Sequence, residues 1–135
     1  MLNLEGKIVF ITGASSGIGE ACAKEFAKQK ANLILAARRK DRLLKLADEL
    51  EKQYEIKVEC VEVDVRNFDD VQNKFNSLES KWKQVDILLN NAGLAKGLNK
   101  VYEGSLSDWD EMIDTNLKGL LNVTRVVSPQ MVDRQ

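Results

Sequence analysis

There is no histidine in this chain. That absence removes serine–histidine–aspartate and cysteine–histidine nucleophilic chemistry, and most zinc chemistry; no metal site is expected. Proline occurs once, which excludes collagen-like and proline-rich chains. Cysteine occurs twice, at Cys22 and Cys60, with no C-x-x-C or metal-ligand spacing. Both lie in segments with core periodicity and read as small buried hydrophobes in a reducing, cytoplasmic compartment. Neither sign of charge is in excess. The net charge is −1, so no overall field attracts nucleic acid or an anionic membrane, and neither is an expected partner. No apolar run approaches the ~20 residues of a membrane span. The start, Met1-Leu2-Asn3-Leu4-Glu5-Gly6-Lys7, lacks the charged and apolar regions of a secretory leader.

What is present is ordinary for a globular protein: 44% apolar and 30% charged residues. The length suggests one domain, residues 1–135. A chain of this size can bury about two-thirds of its unfolded surface. Lys7 to Thr12 is apolar on both faces, as a buried parallel strand should be. From Gly17 to about Lys30, Ile18, Cys22 and Phe26 recur every four residues and predict a helix. Asn32 to Ala37 is a second strand, and Leu43, Leu46, Ala47, Leu50 and Tyr54 mark a second helix. Lys57 to Val63 alternates polar and apolar, a strand with one wet face near a sheet edge. Asn67 caps a third helix, with Val71, Phe75, Leu78 and Trp82 as its stripe. Val85 to Asn90 is the fourth strand, followed by a polar loop from Leu94 to Leu106. A last helix starts at a Ser107-Asp108-Trp109-Asp110 cap and carries Trp109, Met112, Ile113, Leu117, Leu120, Leu121, Thr124 and Val127. Pro129 is expected to kink it or end a segment. Strands and helices therefore alternate. Right-handed crossovers then give a doubly wound parallel α/β sheet of order 3-2-1-4.

The chain is organised around Thr12-Gly13-Ala14-Ser15-Ser16-Gly17-Ile18-Gly19, between the first strand and the first helix. Glycines at 13, 17 and 19 permit positive φ and close approach of backbone N–H groups to an anion. The helix that follows adds its N-terminal partial charge and unpaired donors. The stretch reads as a pyrophosphate site for a dinucleotide. An NAD-selective site places an acid near the end of the second strand, where it bonds the ribose 2′-OH. This chain has Ala36-Ala37-Arg38-Arg39 there. A carboxylate would repel a 2′-phosphate, whereas an arginine can clamp it through paired hydrogen bonds, so NADP is the expected cofactor. The competing reading, a solvated helix start, is weakened because positive charge is unfavourable at a helix N-terminus.

Three further features remain open on chemistry alone. Asp64, with Val65 beside it, ends the third strand and either accepts from an adenine amino group or caps a turn. Asn90-Asn91-Ala92-Gly93 either lets backbone approach a ribose or is an asparagine-rich turn. Asn116 falls by 3.6-residue counting on the stripe of Trp109, Met112, Ile113 and Leu120. A buried amide needs partners, so it bonds backbone within a helix distortion or holds a water in a site.

Taken in order, Thr12 to Gly19, Asp64, Asn90 to Gly93 and Asn116 resemble the short-chain dehydrogenase/reductase family along the whole chain. The resemblance implies a Rossmann-type fold with an NADP site. Gly13, Ser15, Ser16, Gly17, Ile18 and Gly19 would hold the pyrophosphate, with Ser15 near the adenosine phosphate. Arg38 and Arg39 would hold the 2′-phosphate, Asp64 and Val65 would flank adenine, and Asn91, Ala92 and Gly93 would line the ribose. Asn90 would brace the fourth strand. Asn116 matches the asparagine of the family's Asn-Ser-Tyr-Lys catalytic set, which supports a proton-relay water. The texture around Leu94 to Gly97 and Asp108 to Asn116 is similar to the NADP-dependent 3-hydroxy acid (serine or L-allo-threonine) dehydrogenase branch. A small carbonyl or alcohol substrate and a homo-oligomer are implied.

The chain departs from the family at the proton donor. Four residues after Tyr54 and Tyr102 stand Val58 and Leu106, so neither tyrosine begins a Tyr-x-x-x-Lys pair. The family's serine and fifth strand have no counterpart either. The expectation is an N-terminal fragment truncated before strand 5: inactive alone, and prone to associate through an open sheet edge at Val85 to Leu89. The alternative from another class is a non-catalytic nucleotide-binding or assembly module.

Overall fold

Adjacent side chains of a strand point to opposite sheet faces, so a central parallel strand needs apolar residues throughout. The computed structural model describes residues 3–135; Met1 and Leu2, part of the start considered above, lie outside the described residues. In β1 (Ile8–Thr12) and β2 (Asn32–Ala37), Val9, Ile11, Leu33 and Leu35 enter one core, and Phe10, Ile34 and Ala36 the other. β3 (Val58–Glu62) and β4 (Ile87–Leu89) flank this pair. The order is β3-β2-β1-β4, every pairing is parallel, and Val9 lies opposite both Leu33 and Ile87. This is the expected 3-2-1-4 sheet. β3 is at the edge, with Glu62 exposed, as its alternating pattern requires.

Two helices cover each face. On one side, α1 (Gly17–Lys28) contributes Ala23 and Ala27, and α2 (Lys40–Tyr54) contributes Leu43, Leu46 and Leu50. On the other, α3 (Phe68–Asn76) contributes Val71 and Phe75, and α5 (Leu120–Arg134) contributes Val123 and Val127. The Phe10 and Phe75 rings lie 6.3 Å apart between centroids, tilted at 45°. Burying each large aliphatic side chain contributes about 1.5–3 kcal/mol. Among the described residues no helix is long and apolar enough to cross a membrane.

Several local expectations are corrected. The Val71-Phe75-Leu78-Trp82 stripe does not lie on one helix. At Leu78 the backbone tightens to an i→i−3 bond with Phe75, 3.1 Å, and leaves the helix. Trp82 still reaches the core, from a separate 3₁₀ turn, Ser80–Lys83. α4 (Leu106–Ile113) is capped by Ser105, whose hydroxyl accepts from the Asp108 amide, and not by Ser107. Both serines stand three residues before an aspartate, so the local signal was degenerate. Between α4 and α5 runs a π-helical segment, Asp114–Gly119. The buried face here is Thr115, Gly119, Val123 and Val127. The apolar stripe expected in the core is instead largely in solvent: Ile113 is 46% exposed, Leu117 61% and Leu121 63%. Pro129 neither ends α5 nor separates it into segments; the helix continues to Arg134. The carbonyl deprived of its donor belongs to Arg125, which is exposed and can bond water. Cys22 and Cys60 are free but only half-buried, and desolvation pushes the Cys60 thiol up to about 11.

Candidate functional site

The glycine turn is shaped by contacts that leave no room for a side chain. Gly13 has φ +63°, and a Cβ there would lie 2.8 Å from the Ala92 Cα. Gly19 is buried, and a Cβ on it would overlap the Gly13 carbonyl oxygen. Gly17 has φ +57° but open space around it. The second wall of the turn is Asn91-Ala92-Gly93, tied down from below. The buried Thr12 hydroxyl accepts from the Asn91 and Ala92 amides, each at 3.0 Å. The Asn91 side-chain amide donates to the Gly13 carbonyl at 3.1 Å. This segment is therefore a structural partner of the glycine turn, not an isolated asparagine-rich bend. Asn90 donates to the Thr124 hydroxyl at 3.0 Å, bracing β4 against α5.

The four helices that start from a loop, α1 to α4, begin in two ways. α3 and α4 carry side-chain caps, Asn67 on the Asp70 amide (3.1 Å) and Ser105 on the Asp108 amide. α1 and α2 begin at Ser16 and Arg39 with no side-chain cap bond. Their first-turn N–H donors thus have no side-chain acceptor, and both open on one cleft of about 430 Å³ beyond the carboxyl ends of β1, β2 and β3. Of the predicted site residues, Gly13, Ser15, Ser16, Ile18, Arg38, Arg39, Asp64, Val65, Asn91, Ala92 and Gly93 line it. Gly17 and Gly19 shape the turn without lining the cleft, and Asn116 stands behind the wall. Arg42, Arg66, Leu94 and Thr115 also line it and escaped the sequence reading. Arg42 had a signal: it is three residues after Arg39, one helical turn.

Asp64 is held from two sides. Its amide donates to the Asp70 carboxylate at 3.0 Å, and its own carboxylate accepts from the Arg66 amide and guanidinium. The Arg66 hydrogen bond holds the Asp64 carboxyl below the usual carboxylate range. Its stabilisation is present above the unfolded value and is lost as pH falls through the lower folded one. So Asp64 makes a turn bond, as one of the two readings required, while its side chain remains on the cleft surface. Val65 is fixed from the opposite helix. Its carbonyl accepts from the Asn122 side chain at 2.9 Å, and Gly119 approaches so closely that a Cβ would sit 2.6 Å from a Val65 methyl.

Asn116 lies in the π-helical segment. Its Oδ1 accepts from the Leu94 amide and its Nδ2 donates to the Leu94 carbonyl, both at 2.8 Å. The amide bonds backbone, as one reading required, but in the loop that follows β4 rather than within its own helix. A Cβ on Gly93 would come within 3.1 Å of Asn116 Oδ1, so this glycine makes room for the pair. The same loop is held by an ion pair from Lys96 to Glu111 at 2.6 Å.

A 3-2-1-4 parallel sheet with a glycine turn after β1, opening on a crevice beyond the strands' carboxyl ends, defines the doubly wound, Rossmann-type α/β class. Within that class the chain belongs to the short-chain dehydrogenase family, whose model, described as short chain dehydrogenase, matches residues 7–135. It is 43% identical over 127 residues to NADP-dependent 3-hydroxy acid dehydrogenase YdfG of Salmonella typhi, covering 94% of this chain and 50% of that protein. It is 44% identical over 126 residues to sulfoacetaldehyde reductase 2 of Chromohalobacter salexigens, covering 93% and 49%. The crystal structure of serine dehydrogenase from Escherichia coli superposes with a TM-score of 0.84 at 42% identity, over 94% of this chain and 57% of that one. The chain thus spans about half the length of the curated relatives it matches.

Proposed function

We propose that this chain supplies the NADP-binding part of an oxidoreductase acting on a small alcohol or carbonyl compound. One observation carries the reading. Where the cleft that starts at the glycine turn reaches the end of β2, a small residue of Ala36-Ala37 stands where an NAD site would carry an acid, and Arg38 and Arg39 follow it on the cleft wall. The donor set fits a multiply anionic dinucleotide: two helix starts without side-chain caps and a row of guanidinium groups. Gly13, Ser15, Ser16, Gly17, Ile18 and Gly19 form the pyrophosphate turn. Arg38 and Arg39 take the 2′-phosphate, Asp64 and Val65 flank adenine, and Asn91, Ala92 and Gly93 line the ribose. When bound, NADP supplies the hydride acceptor, and NADPH the donor. Asn116 contributes the asparagine of the family's catalytic set, its side chain fixing the Leu94 backbone at the cleft wall. The names of the 3-hydroxy acid dehydrogenase and serine dehydrogenase relatives support a 3-hydroxy acid as the substrate class. The exposed apolar stripe of Ile113, Leu117 and Leu121 supports a homo-oligomer.

Titration of NADPH and NADH into the protein tests the cofactor. NADPH should bind more tightly, and Arg38→Ala should weaken NADPH by about 10- to 100-fold, the effect of losing a charge-assisted phosphate bond. NADH should be little affected. Tighter NADH binding, or an Arg38→Ala protein that keeps its NADPH affinity, would refute the reading.

These 135 residues alone should turn nothing over, because neither tyrosine is followed by lysine four residues on. The check is NADPH formation from NADP and a 3-hydroxy acid, followed by absorbance. A rate that persists through exhaustive purification would overturn this expectation. NADPH binding with no turnover in any longer form of the protein would favour the non-catalytic module.

A further inference from the structure

Four guanidinium groups line the cleft, and they are not equivalent. Arg66 is committed to Asp64, with Nη2 2.7 Å from the carboxylate. Arg39 reaches toward Asp41 only at 3.9 Å, in an exposed pair. Arg38 and Arg42 form no ion pair among the described residues, and both face the same cavity as the glycine turn.

The position of Arg42 is unfavourable on local grounds. α2 begins at Lys40 with Arg39 as its N-cap, so Arg42 is the third residue of the first turn. Cap and third residue face each other over that turn, which is why capping boxes place an acceptor at each. Here both are cations, and no side chain caps the helix. The positive end of the helix dipole disfavours two cations there, and the first-turn donors lack a side-chain acceptor. α3, by contrast, has an asparagine cap with Asp69 and Asp70 in its first turn, where α2 has Asp41 alone. One anion held against the start of α2 would offset both deficits, accepting from backbone N–H groups and from the guanidinium fork together.

We propose that Arg42 is a specificity-determining residue of this site, joining Arg38 and Arg39 on the phosphomonoester of a 2′-phosphorylated adenosine. The inference rests on the NADP reading above and adds to it a residue in α2. Lysine would not substitute fully, because a point charge lacks the planar fork that meets two phosphate oxygens at once.

The experiment compares 2′,5′-ADP with 5′-AMP by calorimetry, on the 135-residue chain and on Arg38→Ala, Arg42→Gln and Arg42→Lys. Arg42→Gln should weaken 2′,5′-ADP by about 10- to 100-fold, the range of one charged hydrogen bond. 5′-AMP should stay within about twofold, since only the 2′-phosphate separates the ligands. Arg42→Lys should fall between. Arg42 is exposed, so the variants are expected to fold, and circular dichroism checks this. If the unaltered chain does not prefer 2′,5′-ADP, the NADP reading itself fails. If that preference exists and Arg38→Ala reduces it but Arg42→Gln does not, this inference alone is overturned. An equal loss for both ligands would make Arg42 a structural residue and overturn it as well.

Discussion

Replacing Gly19 by alanine is expected to lower the stability of the chain by about 2 kcal/mol or more, and to weaken nucleotide binding with it. Two effects oppose each other. Gly19 is inside α1, where alanine gains about 1 kcal/mol of helix propensity. Against this, the added methyl would overlap the Gly13 carbonyl oxygen and press on the Asn91 side chain. The first obstacle is backbone, so the turn must move rather than a flexible side chain. Overpacking of this kind costs about 1–3 kcal/mol, occasionally more, and the backbone obstacle puts this site at the upper end. The displaced carbonyl also carries the Asn91 hydrogen bond, so the second cleft wall moves with it. Gly17→Asn is the control. That position needs a left-handed backbone but has nothing within 4 Å, and asparagine tolerates such a φ. Urea denaturation should place Gly19→Ala well below Gly17→Asn. A Gly19→Ala protein as stable as the parent would mean the helix does not approach the turn as closely as described.

The sheet was legible because its signals are local and repeated. Both faces of β1 and β2 are apolar at successive positions, and runs this short, bounded by turn residues, fit a buried parallel strand. The glycine turn was legible for the same reason: strand, glycines and helix stand side by side in the sequence. What escaped depends on contacts across long separations. Nothing local marks Thr12 as the anchor of residues 91 and 92, since the bond spans 79 positions. Arg66 reads as a surface cation until its bonds to Asp64 are seen. Asn116 was singled out correctly as an amide in need of partners, yet periodicity could not name Leu94, 22 residues away. Counting by 3.6 also fails beyond Ile113. The π-helical segment inserts a wider turn, and the buried face passes to Thr115, Gly119, Val123 and Val127.

Thr12→Val should be the most informative single change in the core of the site. Valine matches threonine in shape, so little cavity or strain is introduced; what is lost is one oxygen. That oxygen accepts from two amides, Asn91 and Ala92, at 3.0 Å each, and Thr12 is 2% exposed. A buried donor left without an acceptor costs about 1–3 kcal/mol, and two are stranded here. Because residues 91 and 92 are only half-buried, water recovers part of this, and a loss of about 2–4 kcal/mol is expected. Thr12→Ser keeps the acceptor and removes a methyl, which should cost about 1 kcal/mol. The pair therefore separates the hydrogen bonds from the packing. Hydrogen exchange gives the local readout: the Asn91 and Ala92 amides should lose protection in Thr12→Val and keep it in Thr12→Ser. NADPH affinity should follow the same order, because the Asn91–Gly93 wall, proposed to line the ribose, is tied to β1 through this hydroxyl. Equal stability and equal protection in the two variants would show that the wall is held by other contacts, with the Asn91 side-chain bond to Gly13 the next to test.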